Sequence, residues 1–210
     1  MPLVILVTGF EPFGAYLANP SEELAKAVDG RLVGGVTVKS LLLPVHHTRA
    51  TARVAEALAE LAPAVVLHLG LAGGRARIAL ERVAVNLMDY ELPDNAGYRA
   101  TGEPCVPGGP AAHFSTLPLA AMLAELTAEG IPAYVSNSAG TYLCNQTMYA
   151  TLHAVRDHPR PPRAGLIHVP LLPAMVAASG QDAPSMDFAV MLRGLEVALA
   201  VLSRGGAADR

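Results

Sequence analysis

The feature that most constrains this chain is its alternation of short, continuous apolar runs with longer segments rich in Ala, Leu and Glu. "LVILVTG" (3–9), "AVVLHLG" (64–70) and "AGLIHVP" (164–170) are apolar nearly throughout, as expected of strands buried on both faces. "NPSEELAKAVDG" (19–30) reads as a helix, with Pro20 suited to its first turn and Gly30 as its stop. A second helix is expected over 48–63, where Ala and Leu recur at three- and four-residue spacing. Further strands are expected over 36–45, 76–89 and 131–138, and helices over 116–130, 141–158 and 183–205. The Pro- and Gly-rich stretch 90–110 reads as a long irregular loop. This order predicts an α/β fold with helices on both faces of a largely parallel sheet. In such folds chemistry gathers where strands end and helices begin. No repeat or linker divides the chain, so a single domain over 1–210 is expected, with 205–210 as a fraying tail.

Composition removes several function classes. The 210 residues are 52% hydrophobic and only 16% charged, which excludes a disordered chain. A net charge of −3 gives no basic excess for nucleic acid or an anionic membrane surface. The apolar N-terminus lacks a basic flank and a small-residue cleavage site, and no later run has the length and uniformity of a membrane span. Two cysteines cannot form a secreted disulfide framework; a single Cys105–Cys144 bridge stays open, but a reducing cytoplasm is the expected compartment.

"SNSAGTYLCN" (136–145) places Cys144 just inside the start of the expected helix 141–158. Helix N-termini favour thiolate over thiol and offer free amides to a developing oxyanion, so the position suits a nucleophile. A buried, inert thiol is the competing reading. A nucleophilic cysteine needs a base, and the base needs an orienting group. Of seven histidines, His68 and His168 sit near strand ends, where a side chain can turn toward a site at the sheet edge. Glu81 stands among strand residues, where a carboxylate needs a partner. That partner is either Arg75, Arg77 or Arg82 in an ion pair, or a histidine ring N–H. "GLAGGRAR" (70–77) matches no phosphate-loop pattern, and its glycines read as room for a ligand or as a turn. No metal-ligand spacing occurs.

Taken together and in order, "GFEPFG" (9–14), "GLAGGRARIALERVAVN" (70–86), "SAGTYLCN" (138–145) and "IHVPLLP" (167–173) closely resemble pyroglutamyl peptidase I, the pyrrolidone-carboxylate peptidase family of cysteine peptidases. "LPV" (43–45), "PDNAG" (93–97) and "STLP" (115–118) also fit. The resemblance implies a three-layer α/β/α sandwich, commonly a homotetramer, that removes N-terminal pyroglutamate from peptides without metal or organic cofactor. It implies Cys144 as nucleophile, His168 as general base and then acid, and Glu81 as the group that orients the histidine. Phe10 and Phe13 match aromatic wall residues, Asn19 a polar contact to the lactam, and Leu71 a backbone contact. Three positions depart from the family pattern: Ala79 for a Ser or Thr, Gln146 for a small polar residue, and Glu91 where many relatives have Arg. Two other readings remain: an enzyme like the purine nucleoside phosphorylases, whose sandwich is similar, and a non-catalytic pyroglutamate-binding module.

Overall fold

The computed structural model describes residues 3–204, so the expected fraying at 205–210 lies outside the described residues. The first half of the chain forms β1 (Val4–Phe10), α1 (Pro20–Val28), β2 (Leu32–Val33), β3 (Val36–Leu43), α2 (Arg49–Leu61) and β4 (Val65–Leu71). Then come β5 (Ile78–Glu81), β6 (Val83–Val85), β7 (Met88–Asp89), β8 (Thr101–Glu103) and β9 (Ala112–Phe114). The last part forms α3 (Leu119–Ala128), β10 (Ala133–Ser136), α4 (Leu143–Val155), β11 (Arg163–Val169), α5 (Pro173–Ser179) and α6 (Phe188–Arg204).

Seven strands make the main sheet in the order β10-β5-β11-β4-β1-β3-β2. The four central strands, β11, β4, β1 and β3, are mutually parallel, as expected of a largely parallel sheet. The edges oppose them. Only a short turn at 72–77 joins β4 to β5, too few residues for a crossover helix, so β5 returns antiparallel to β11. β10 pairs parallel with β5, and β2 folds back antiparallel on β3. The extended stretch expected over 76–89 divides among three sheets, with β6 pairing β9 and β7 pairing β8. The closing helix begins at Phe188, later than expected, after Asp187 Oδ1 accepts the Ala189 amide at 2.8 Å. No helix among the described residues is long and apolar enough to cross a membrane.

Side chains alternate across the sheet with period two, and this separates packing from chemistry. Ile5, Val7, Leu67, Leu69, Ile78, Leu80, Ile167 and Val169 form one buried cluster with residues of α1, α3 and α6. The intervening positions, Leu6, Val66, Ala164 and Leu166, face α2 and α4. Thr8, His68, Gly70, Ala79, Glu81 and His168 have that second parity, so the polar residues of four strands lie on the face covered by α4.

The site end of the sheet is set by register. β1 pairs with β4 only from Ile5↔Val65 to Thr8↔His68, whereas β1–β3 continues to Phe10↔Leu43 and β4–β11 to Val169↔Leu71. The C-terminal ends of β1 and β4 therefore part. They do so where the chain switches direction, one connection leading to β3 on one side and the next to β4 on the other. α1 closes over the end of β1: Asn19 caps it by accepting the Ser21 amide at 3.0 Å, and Ser21 Oγ accepts the Phe10 amide at 3.0 Å.

This close seating leaves no room above Gly9, where a Cβ would lie 2.2 Å from the Ser21 carbonyl oxygen. Gly9→Ala should therefore lower stability by about 1–3 kcal/mol, read as a reduced urea midpoint at unchanged slope. An unchanged midpoint would show that α1 can shift without cost.

Candidate active site

Three elements converge where β4 lacks a side chain. Gly70 pairs in register with His168 of β11. A Cβ placed on Gly70 would lie 2.6 Å from Cys144 Sγ and 3.0 Å from His168 Nε2. The thiol and the ring nitrogen thus occupy one small space that any larger residue would fill. Gly74, by contrast, serves the turn, with φ at +85°. The glycine-rich segment therefore combines both uses, but the room at Gly70 is taken by protein side chains.

His168 Nδ1 lies 2.8 Å from Glu81 Oε1. In the antiparallel register Ala79 is opposite His168 and Glu81 opposite Leu166, so the pair meets diagonally on one face. The Glu81 carboxylate is fully buried. Arg75 Nη1 donates to the same oxygen at 2.5 Å, and Nη2 donates to the Ser138 carbonyl at 3.1 Å. Both readings of Glu81 thus hold at once, with Arg75 as the ion-pair partner. Arg77 lies over the Tyr134 ring and Arg82 donates to Asn137. Burial opposes the charge on Glu81. The hydrogen bond and charge of His168, with neighbouring Ser136 and Arg75, outweigh it and hold the carboxyl below its ordinary range.

Cys144 occupies the second position of α4, whose N-terminus carries no side-chain cap. The first amide of the ladder is Gln146, bonded to the Tyr142 carbonyl at 3.1 Å, so the preceding amides have no partner within the helix. Burial first, and then the charge of Glu81, push the thiol up to about 12, against the smaller opposing pull of Arg75 and the cysteine's own amide. These surroundings oppose the thiolate that the helix start favours.

A cavity of about 340 Å³ opens onto Cys144 and His168, and Phe10, Phe13, Asn19 and Leu71 all line it. Phe10 is buried at the end of β1, and the Phe13 ring packs 5.7 Å from those of Tyr16 and Tyr142. Asn19 is largely committed to structure: Oδ1 accepts from the Ser21 amide and hydroxyl, and Nδ2 donates to the Glu11 carbonyl at 3.0 Å. One Nδ2 hydrogen is left for a ligand. Sequence reasoning did not place Tyr142, Ala72 or Gly140 in the lining. Tyr142 stands two residues before Cys144, and that proximity was its available signal.

The remaining candidates fall elsewhere. His68 is fully buried, with its ring nitrogens 2.8 Å from Thr8 Oγ1 and 3.0 Å from Thr151 Oγ1. Burial lowers it to about 3, so it is a neutral core histidine. Cys105 and Cys144 are both free, so no bridge joins them. Cys105 faces the Val85 carbonyl, and burial pushes it to about 11. His46, His47 and Asp94 bring ligand-type atoms within 4.8 Å of one another. The Asp94 carboxylate is already occupied by the His47 ring and amide and by the amides of Ala96 and Tyr98. Of the departures, Ala79 is buried opposite His168, and Glu91 lines the cavity. Gln146 accepts from Tyr90 Oη and donates to the His47 carbonyl, each at 2.7 Å.

Comparison with known proteins gives the same direction. The family model for pyroglutamyl peptidase matches residues 3–205. The pyrrolidone-carboxylate peptidase of Pyrococcus furiosus is 44% identical over 200 residues, covering 94% of this chain and 96% of that protein. The Klebsiella pneumoniae protein of the same name is 44% identical over 200 residues, covering 95% and 92%. A solved structure of a mutant pyrrolidone carboxyl peptidase from P. furiosus superposes with a TM-score of 0.94 at 43% identity, covering 97% of this chain and 99% of that one. With the family model spanning nearly the whole chain, and relatives of this identity over nearly their full length, the chain belongs to the pyroglutamyl peptidase family.

Proposed function

We propose that this protein hydrolyses the amide bond after an N-terminal pyroglutamyl residue, with Cys144 as nucleophile, His168 as base and then acid, and Glu81 as the orienting carboxylate. The observation that carries the reading is the shared space above Gly70. Sγ and Nε2 both lie within 3.0 Å of a Cβ placed there, while the other ring nitrogen is held by Glu81.

His168 Nε2 takes the thiol proton as Sγ attacks the pyroglutamyl carbonyl carbon, and Glu81 accepts the Nδ1–H and stabilises the imidazolium. The carbonyl oxygen becomes an oxyanion beside the uncapped amides at the start of α4. Collapse breaks the C–N bond, and His168 returns the proton to the leaving amine. Water, deprotonated by His168, then cleaves the thioester and releases pyroglutamate. These side chains supply every proton transfer, so the reaction draws on no metal or organic cofactor. Phe10 and Phe13 suit the flat lactam, while the free Asn19 N–H and the backbone at Leu71 suit its polar edge. Proline lacks the lactam carbonyl and would leave such a donor unpaired.

The chain reads further as one peptidase domain acting in the cytoplasm as a homotetramer. The family match over 3–205 supports the first part, and the free thiols suit a reducing compartment. Exposed Leu17, Leu32 and Phe114 support association.

Release of a fluorescent amine from a pyroglutamyl amide should fall at least about a thousandfold in Cys144→Ala. Equal turnover by the variant would remove Cys144 from the mechanism. Because the resting thiol titrates near 12, iodoacetamide labelling at Cys144, followed by mass spectrometry, should accelerate about tenfold per pH unit from pH 7 to pH 9. A plateau near neutrality would mean a preformed thiolate. Gly70→Ala should cost about a hundredfold in kcat/KM, through displacement of the dyad rather than unfolding. Retained activity would show that the two groups can meet elsewhere.

A further inference from the structure

Beside the cavity that holds Cys144 lies a second hollow of about 180 Å³, lined by Phe13, Asp89, Glu91, Leu92 and Tyr142. Phe13, Glu91 and Tyr142 line both spaces, so the two adjoin. Its walls are apolar: two aromatic rings and Leu92, which is 51% exposed. Its rim carries two exposed carboxylates, Asp89 and Glu91. Among the described residues, neither carboxylate has an ion-pair or side-chain hydrogen-bond partner. Arg75, which lines the catalytic cavity, is already committed to Glu81 and the Ser138 carbonyl.

The hollow adjoins the catalytic cavity at Glu91, one of its exposed lining residues. On the peptidase reading, the acyl group is a single small ring, and the residues that would hold it, Phe10, Asn19 and Leu71, are buried. The rest of the peptide must leave past the exposed part of the lining, which Gly73, Glu91 and Gly140 provide, and the hollow adjoins that part at Glu91. A slot with apolar walls and carboxylates at its lip fits a side chain with a long aliphatic stem and a cationic head. From this we infer that Glu91 determines leaving-group specificity, selecting peptides that carry Lys or Arg directly after pyroglutamate. This inference rests on the peptidase reading. An acidic residue in the same place would meet like charge, and a small neutral one would leave the slot unfilled.

The test compares kcat/KM for pyroglutamyl-lysyl, pyroglutamyl-alanyl and pyroglutamyl-glutamyl peptides with the wild type, Glu91→Gln and Glu91→Lys. The wild type should prefer the lysyl over the glutamyl peptide by about threefold to tenfold at low salt, and by less than about twofold at 0.5 M salt. Glu91→Gln should reduce that ratio at least about twofold, with Asp89 carrying what is left, and Glu91→Lys should invert it. Turnover of all three peptides with a ratio that Glu91→Gln leaves intact would overturn the assignment and leave the peptidase reading standing. No turnover of any pyroglutamyl peptide by the folded wild type would overturn both.

Discussion

The proposed site depends on one missing side chain. His168 comes from the sheet and Cys144 from the helix above it, and helix and sheet surfaces are ordinarily held apart by interleaved side chains. Gly70 removes that spacer at one position, and Sγ and Nε2 fill the space. The gap would be useless if α4 could slide, and its polar residues fix it at several points. Asn145 donates to the Val85 and Leu87 carbonyls and accepts from the Val85 amide. Gln146 joins Tyr90 to the His47 carbonyl. Thr151, seven residues and two turns beyond Cys144, bonds His68 on the strand that carries Gly70. The buried His68 is therefore part of the site's framework although it is remote from the chemistry.

Charge is arranged with the same economy. A buried carboxylate without a partner would be costly, and Glu81 is buried completely. Arg75 and His168 both engage its Oε1, so the carboxylate is compensated before any substrate arrives. Desolvation and the nearby Glu81 charge both push the Cys144 thiol up, which favours the neutral form before substrate arrives. On the proposed mechanism, separation of charge is then confined to the step in which Cys144 gives its proton to His168. At that moment the new imidazolium already has Glu81 beside it. Arg75 also reaches the Ser138 carbonyl in the turn before α4, coupling the carboxylate to the segment that presents the nucleophile.

Much of this was legible in the sequence, and the limits have physical causes. The uninterrupted apolar runs located β1, β4 and β11, because only strands buried on both faces have that composition. The helix carrying Cys144 was also legible, since its motif residues precede a clear helical stretch. The direction of β5 was not, because it is fixed by the shortness of the 72–77 turn and by a non-local pairing with β11. β6, β7, β8 and β9 are very short and owe their pairing to tertiary context. Pattern put His168 only slightly ahead of His68, through the Pro170 that ends its strand, as both end apolar runs with the same parity. The difference is depth: His68 lies two residue pairs further into the sheet, between Thr8 and Thr151, and His168 lies at the cavity. The upward push on the Cys144 thiol was not legible, because helix position is local whereas desolvation belongs to the assembled fold.

The same architecture accounts for a preference for a chain's first residue. An acyl pocket that admits an internal residue must be open at both ends, one for each direction of the peptide. Here the end away from Cys144 is closed by α1, whose first turn is fastened to the end of β1 through Asn19 and Ser21. Those bonds satisfy the helix terminus and form the pocket wall together, so the floor cannot open without uncapping α1. A cyclised N-terminal residue has no charged amine to bury against that wall. A free α-ammonium beside Phe10 and the largely committed Asn19 would have only Glu91 as a carboxylate among the lining residues, and Glu91 is exposed to solvent. Closure of one end and the absence of a buried counter-charge both favour an uncharged, terminal, ring-shaped acyl group.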